Sequence, residues 1–440
     1  MPIELTNATQ ASDPTPGPGW GATKRVGFRF VFSLFALCLF TRLLLPQAET
    51  DAEFNPAAAM VQGLCARLWA PVIVWTGHHV LQVQRHLAYE AGGNADGIYG
   101  HVQWFAITML AVLAAMVWTL ASRKPGSYAR LLGGLRVARR YSLGFEMLVY
   151  GIFKVLLVQF SFPGLDVLRA PYGDFHPMSV LWNFMGYSST YTFFAGAVEV
   201  VGAVPLFFRR TTTLGALITG GALVNVLMLD ISYDVPEKLD VLWMLATTLF
   251  ILWPDLRRLT NMLLLNTPVP AASLIAPGQR TWMSKLDLVV KSLVIAYAVV
   301  PITLLAAKYR AEHNTRSPIY GIYKVEEFTR NGQVLPPLTT DTNRWAEVIF
   351  LSPSETRIKL MDDSWHWHDT ESDPTGSKLT PLVANERKEK NFFECARTGT
   401  EELLLRGSWA GASVAVTLKR LDETKLPLIR SKRRWINGFP

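Results

Sequence analysis

Lys154 lies in the run YSLGFEMLVYGIFKVLLVQF, residues 141–160, which is long enough to cross a bilayer and so places an ammonium inside what would be hydrocarbon. Such a charge costs on the order of 3 kcal/mol to insert, so it needs a partner, a water-filled cavity or a neutral state. Burial favours the uncharged amine, and an uncharged amine in an apolar pocket can act as a base. Two plainer readings stand beside that one: an ion pair with Glu199, or a long stem that snorkels its head toward the interface. Glu199 sits in AGAVEVVGAVP, on a different apolar run, between Gly196 and Gly202. Close helix approach explains those glycines but not the carboxylate.

Two polar segments could complete a site around this pair. One is GLDVLRAPYGDFHPMS, which supplies Asp174 and His176; the other is DISYDVPEKLD, which supplies Asp230, Tyr233, Asp234, Glu237 and Lys238. The chain path puts both at the end of the bundle toward which the Lys154 helix runs. The expectation is one polar pocket with Lys154 at its floor, Glu199 beside it, and Gln159, Asp174, His176, Tyr233, Asp234 and Lys238 around its mouth. Its ligand would be the head of a quinone or a lipid; with no ligand, Lys154 pairs with Glu199. Capping is the plainer reading of DISYDVPEKLD, because Pro236 can open a helix with Glu237 in its favourable first turn. A hard cation would also accept these oxygens, but their spacing does not specify one. Further on, SWHWHDT offers His366, His368 and Asp369 as weak metal candidates if it forms a strand, since positions i and i+2 then share a face. An exposed aromatic turn is the plainer reading there.

These residues need a membrane bundle to position them. Half of the 440 residues are hydrophobic, which makes this an integral membrane protein. The net charge of +8 is no argument for nucleic acid: six Lys or Arg and no acid fall between Arg123 and Arg140, between two apolar runs, as cytoplasmic retention requires. The three cysteines form no CxxC pair, and nothing matches a nucleotide loop, a serine elbow or an iron–sulfur ligand set.

The order that follows is a cytoplasmic tail without periodicity (1–22), N-terminal membrane helices (23–140), a four-helix membrane core (141–258), a linker (259–284), a final spanning helix (285–308) and a β-rich extracytoplasmic domain (319–440). Seven spans are expected: 28–45, 102–120, 141–160, 180–208, 213–229, 239–253 and 286–307. The run 60–83, broken by Pro71 and carrying Arg67, His78 and His79, is expected to lie flat or re-enter rather than cross. Short alternating runs such as AEVIFL, EELLLRGSW and ASVAVTLKRL predict a small antiparallel barrel or sandwich of six to eight strands. The fold class is thus a mainly α, polytopic helical bundle with a small all-β domain at its C-terminus.

The stretches YGIFKVLLVQF, PYGDFHPMSVLWNFMGYSSTY, FAGAVEVVGAVPLFFRRTTTLGALITGGALVNV and ISYDVPEKLDVLWML resemble the core of the DoxX-like family of bacterial membrane proteins. In that resemblance Lys154 matches the family's helix lysine, Glu199 its helix glutamate, and Tyr233, Asp234, Pro236 and Lys238 its YDVPxKL signature. Asp230 departs from the pattern, where Asn is expected. The resemblance implies association with redox or quinone machinery in a bacterial inner membrane, and because the chain carries no electron-carrying cofactor motif the expected role is a non-catalytic subunit or assembly factor of such a complex. Lys24, Arg25 and Arg29 before the first span put the N-terminus in the cytoplasm, and seven spans put the C-terminal domain outside, which in the bacterial setting of the resemblance is the periplasm; the expected partners are other membrane or periplasmic subunits and the lipid bilayer. A more distant similarity of layout, to the membrane part of vitamin K-dependent carboxylases, implies the alternative: a quinone- or lipid-dependent enzyme with Lys154 as its base.

Overall fold

A computed structural model describes residues 20–42, 56–87, 96–122, 128–269, 281–314, 318–372, 378–384 and 390–430. The tail expected over 1–22 and the C-terminal RRWINGFP lie almost wholly outside these residues. The chain divides into two compact units, one comprising Met1–Gln159 with Thr190–Leu305 and the other Phe160–Ser189 with Ala306–Pro440.

The first unit is helical. It holds α1 (Ala22–Arg42), α2 (Pro56–Trp75), α3 (Ile98–Ala121) and α4 (Ala129–Val155), then α7 (Ser189–Leu206), α8 (Thr212–Ser232), α9 (Lys238–Leu252), α10 (Leu256–Leu263) and most of α11 (Thr281–Asn314). Among the described residues, five helical stretches are long and apolar enough to cross a membrane: Ile98–Ala121, Ser189–Leu206, Thr212–Ser232, Lys238–Leu263 and Lys285–Tyr309. By length and composition they mark a multi-pass membrane protein. The other two expected spans, 28–45 and 141–160, fall on α1 and α4, helices that carry several arginines and lysines and are less apolar for that reason. The run 60–83 forms α2, with Pro71 inside it, followed by a π-helical turn at Thr76–Val80.

Two sequence expectations for this unit are corrected. The basic segment 123–140, expected as a cytoplasmic connection between two apolar runs, is helical from Ala129 onward, with Leu135, Arg139 and Arg140 buried. Arg139 is 1% exposed, lies 4.8 Å from the Phe35 ring and 5.0 Å from that of Trp243, and donates to the Phe35 carbonyl. It fastens α1, α4 and α9 by cation–π contact instead of marking a solvated loop. The second correction is that α4 stops at Val155 and does not run to Phe160. Leu157 turns to a φ of 58°, and the Val158 amide donates back to the Phe153 carbonyl.

The second unit joins the segment after α4 to the C-terminal domain. That segment carries α5 (Leu165–Arg169), a 3-10 turn at Tyr172–Asp174 and α6 (Pro177–Tyr187), with Pro177 at the first helical position. The single helix expected over 180–208 is therefore two, interrupted at Ser188, whose φ of −108° and ψ of 83° leave the helical region. A glycine is required nearby: a Cβ at Gly186 would stand 1.9 Å from the Ser161 carbonyl oxygen.

The C-terminal domain is all antiparallel β: β1 (Gly321–Arg330), β2 (Gln333–Val334), β3 (Trp345–Ser352), β4 (Glu355–Leu360), β5 (Trp365–Ser372), β6 (Lys378–Ala384), β7 (Lys390–Arg397), β8 (Glu402–Trp409) and β9 (Ala412–Leu421), then a short α12 (Pro427–Arg430). The strands pair as a meander, β2 meets only the end of β1, and β1 also pairs with β9 to close the sheet into a barrel. Closure leaves no open edge around the ring. Ala410 and Gly411, both with positive φ, form the two-residue hairpin between β8 and β9. Alternate residues of β4 and β9 point inward, where Trp345, Phe328, Phe393, Val416 and Leu418 fill the core. The segment SWHWHDT lies in β5, so the exposed-turn reading of it is wrong: Trp367 faces out, and His368 is 1% exposed.

Candidate functional site

In the helical unit, Lys154 occupies the last turn of α4, where a cation complements the helix dipole. Its Nζ donates to Glu199 Oε2 on α7 at 3.0 Å, with 10% and 6% of the two side chains exposed. The ammonium also lies 5.7 Å from the Tyr150 ring, one turn back. The pair can form because the two helices touch through glycine. A Cβ at Gly196 would stand 2.6 Å from both the Gly151 carbonyl oxygen and Lys154 Cβ, and one at Gly151 would meet the Gly196 carbonyl at 2.9 Å. Gly202 and Gly215 do the same between α7 and α8, where a Cβ at Gly215 would lie 2.9 Å from the Gly202 carbonyl. The lysine and the glutamate thus form a closed ion pair within a small-residue packing seam.

A second polar group gathers where α8 meets α9. Lys238 opens α9 and donates to Asp234 Oδ1 at 3.1 Å, to Asp96 Oδ2 at 3.3 Å and to the Val235 carbonyl at 2.9 Å. Asp96 caps α9 from far away in sequence: its two oxygens accept the amides of Lys238 and Leu239 at 3.0 and 2.8 Å. Asp234 sits at φ 52° in the turn and is exposed, while Tyr233 is half-buried at the end of α8. Asp230, 5% exposed on the last turns of α8, is within electrostatic reach of Lys154, Asp96 and Lys238, and its Oδ2 has no hydrogen-bond partner among the described residues. Gln159 is half-buried, and its Oε1 likewise lacks a partner.

Of the expected residues, then, Lys154 and Glu199 meet directly, and Asp234 meets Lys238. Asp174 and His176 belong to the second unit, where both are exposed. Asp96, in the stretch between the run 60–83 and the span expected at 102–120, was not among the expected site residues. Its signal was available: a lysine at the start of an apolar helix needs an acid, and Asp96 directly precedes another such helix.

In the second unit the polar pairs fall on residues that the expected pocket did not include. Asp166 and Arg169 of α5 pair with Arg357 (2.6 Å) and Glu347 (2.8 Å) on the barrel's outer face. Leu165 and Leu168 pack there against Ile322, Ile349 and Trp365, and the Arg357 guanidinium lies on the Trp367 ring. His366 and His368 share a face of β5 as expected, but His368 is enclosed beside Trp409. Burial, with a smaller contribution from His366, lowers the His368 pKa to about 4, so its imidazole is neutral at ordinary pH. Among the described residues no group of three or more His, Cys, Asp or Glu could hold a metal ion, and the Asp369 side chain lies outside those residues.

These features define a multi-pass helical protein with a buried Lys–Glu pair in its bundle and an antiparallel barrel at its C-terminus. No family model matches the chain, and no solved structure does. It is similar to the uncharacterized protein YwoB of Bacillus subtilis (strain 168), 32% identical over 119 residues that make up 27% of this chain and 75% of YwoB. The chain belongs to the YwoB family.

Proposed function

We propose that this protein is a non-catalytic subunit or assembly factor of a bacterial membrane complex associated with redox or quinone chemistry. The barrel would stand on the periplasmic side, and the bundle would anchor it in the inner membrane. The observation that carries this reading is the closed state of Lys154. An amine held 3.0 Å from a buried carboxylate, in a seam too tight for a methyl group, serves as a structural cross-link rather than an available base. The DoxX-like resemblance of YDVPEKL supplies the redox association. Purification from native membranes in mild detergent tests it: a stable complex of defined stoichiometry is expected, and an isolated chain that retains a quinone overturns it. Reporter fusions after Arg210 and Arg258 should read cytoplasmic and one after Ala307 external.

One observation favours a second reading, a quinone- or lipid-dependent enzyme. Asp230 is buried with an oxygen that no described residue satisfies, and a bound headgroup carrying a hydroxyl would satisfy it. Asp230→Asn should then lower the amount of copurifying quinone or lipid while Lys154→Met abolishes it. Unchanged ligand content in both variants removes this reading.

A further inference from the structure

Asp230 lies on the last turns of the apolar helix α8, is 5% exposed, and its Oδ2 meets no donor among the described residues. A carboxylate kept charged and unpartnered away from water is costly, so the group must be neutralised or must find a cation. We propose that Asp230 is a proton-binding site, loaded as the neutral acid from the water at the α8–α9 turn and unloaded to a carboxylate that Lys154 then serves together with Glu199.

Three observations converge on that chemistry. First, the carboxylates form a graded series from water inward. The side chain of Asp234 is 85% exposed and that of Asp96 14%; Lys238 bonds to both, and Asp230 lies within electrostatic reach of Asp96, Lys238 and Lys154. Ionisable side chains in such a series are how a proton enters an apolar bundle. Second, Lys238 has no capacity left for Asp230. Its three N–H groups go to Asp234 Oδ1, Asp96 Oδ2 and the Val235 carbonyl at 3.1, 3.3 and 2.9 Å. Third, Lys154 does have capacity. Among the described residues its Nζ places one hydrogen bond, on Glu199, and an ammonium carries three N–H groups. The same lysine can therefore compensate a second carboxylate, whereas four carboxylates (Glu199, Asp230, Asp96 and Asp234) facing only Lys154 and Lys238 favour one of them taking a proton. The buried member without a donor is Asp230. On loading, an O–H bond forms on its carboxylate with a proton from water; on unloading that bond breaks and the proton returns to water, and nothing is oxidised or reduced. This inference rests on the multi-pass reading of the apolar helices and needs neither the proposed complex nor a bound headgroup.

The test uses the full chain purified in neutral detergent. Infrared spectra recorded as the buffer is stepped from alkaline to acid pH should show the carbonyl stretch of a buried neutral carboxyl growing reversibly in the wild type, and Asp230→Asn should lack that band. Lys154→Met should move the midpoint of the band toward alkaline pH by about one unit, because the cation that compensates the unloaded carboxylate is gone. Dicyclohexylcarbodiimide, which modifies neutral carboxyls in apolar surroundings, keeps the wild type informative if either variant does not fold. Peptide mass spectrometry should then find at least about tenfold more label on Asp230 than on the exposed Asp234, falling as pH rises. Identical spectra for the wild type and Asp230→Asn, a band that does not titrate, or equal label on the two carboxyls overturns the site. A band or label that appears only after copurifying lipid has been stripped away assigns Asp230 to the headgroup of the second reading and overturns the proton site as well.

Discussion

Arg169 and Glu347 meet through both branches of the guanidinium, Nε to Oε1 at 3.0 Å and Nη2 to Oε2 at 2.8 Å. The geometry is bidentate, and the second pair on the same short helix, Asp166 with Arg357, reinforces it. A helix of five residues has no stability of its own, so α5 exists because the barrel holds it.

Arg169→Met should therefore release α5. It leaves Glu347, whose side chain is 7% exposed, without its counter-charge. Full burial of such a pair would make the loss roughly 3–5 kcal/mol; with 37% of Arg169 exposed the expectation is about 2 kcal/mol. Hydrogen exchange over 165–169 should speed up by at least about tenfold, with Arg169→Lys in between because it keeps the charge but not the fork. Unchanged exchange in Arg169→Met would mean that the apolar contact of Leu165 and Leu168 suffices.

Lys154→Met keeps the side chain's bulk and strands Glu199 in a buried site. Membrane yield and thermal stability should drop by the equivalent of about 3 kcal/mol, and Lys154→Met with Glu199→Gln should recover part of it. Equal stability of the wild type and Lys154→Met would show that the ion pair contributes nothing to the bundle.

The glycine seam can be probed without touching any charge. Gly196→Ala puts a methyl 2.6 Å from the Gly151 backbone oxygen, where no flexible side chain can give way, so α4 and α7 must separate. Its cost should match or exceed that of Lys154→Met and should loosen the ion pair as well. By contrast Gly221→Ala, with open space around its Cβ, should be neutral or mildly stabilising through helix propensity. Matched thermal melts of the two alanine variants decide the point.

How far the sequence reaches is clear from individual residues. Lys154 and Glu199 were legible as partners because an ion in hydrocarbon has few alternatives, and the β runs were legible because alternation reports a half-buried strand. Helix ends were less so. Nothing in LLVQF forbids helix, and its break at Leu157 depends on tertiary packing. Arg139 read as a topology signal because cation–π burial between Phe35 and Trp243 joins three distant segments. The same distance hid Asp96, which caps a helix far along the chain, and Asp166 and Arg169, whose partners lie on strands β4 and β3. His368 was hidden for another reason: i and i+2 spacing gives a shared face but not whether that face is inside.

Burial of His368 makes a prediction about acid. Its pKa in the folded barrel is about 4, below the ordinary value of 6.5 that the unfolded chain would show. Above pH 6.5 both states hold a neutral imidazole and the group has no effect on stability. As pH falls from about 6.5 to about 4 the unfolded state takes up the proton first, so the barrel loses stability across that window, at about 1.4 kcal/mol per pH unit and about 3 kcal/mol in all. His368→Phe removes the titrating group while keeping an aromatic ring beside Trp409. Hydrogen exchange of β5 and β8 in the detergent-purified chain, measured at intervals from pH 7 to pH 4 and corrected for intrinsic rates, should show a steep loss of protection in the wild type. His368→Phe should show a shallower loss, leaving only what the carboxylates common to both proteins contribute. Parallel curves for the two proteins would mean that the imidazole is solvated or hydrogen-bonded in solution and that its burial beside Trp409 is wrong.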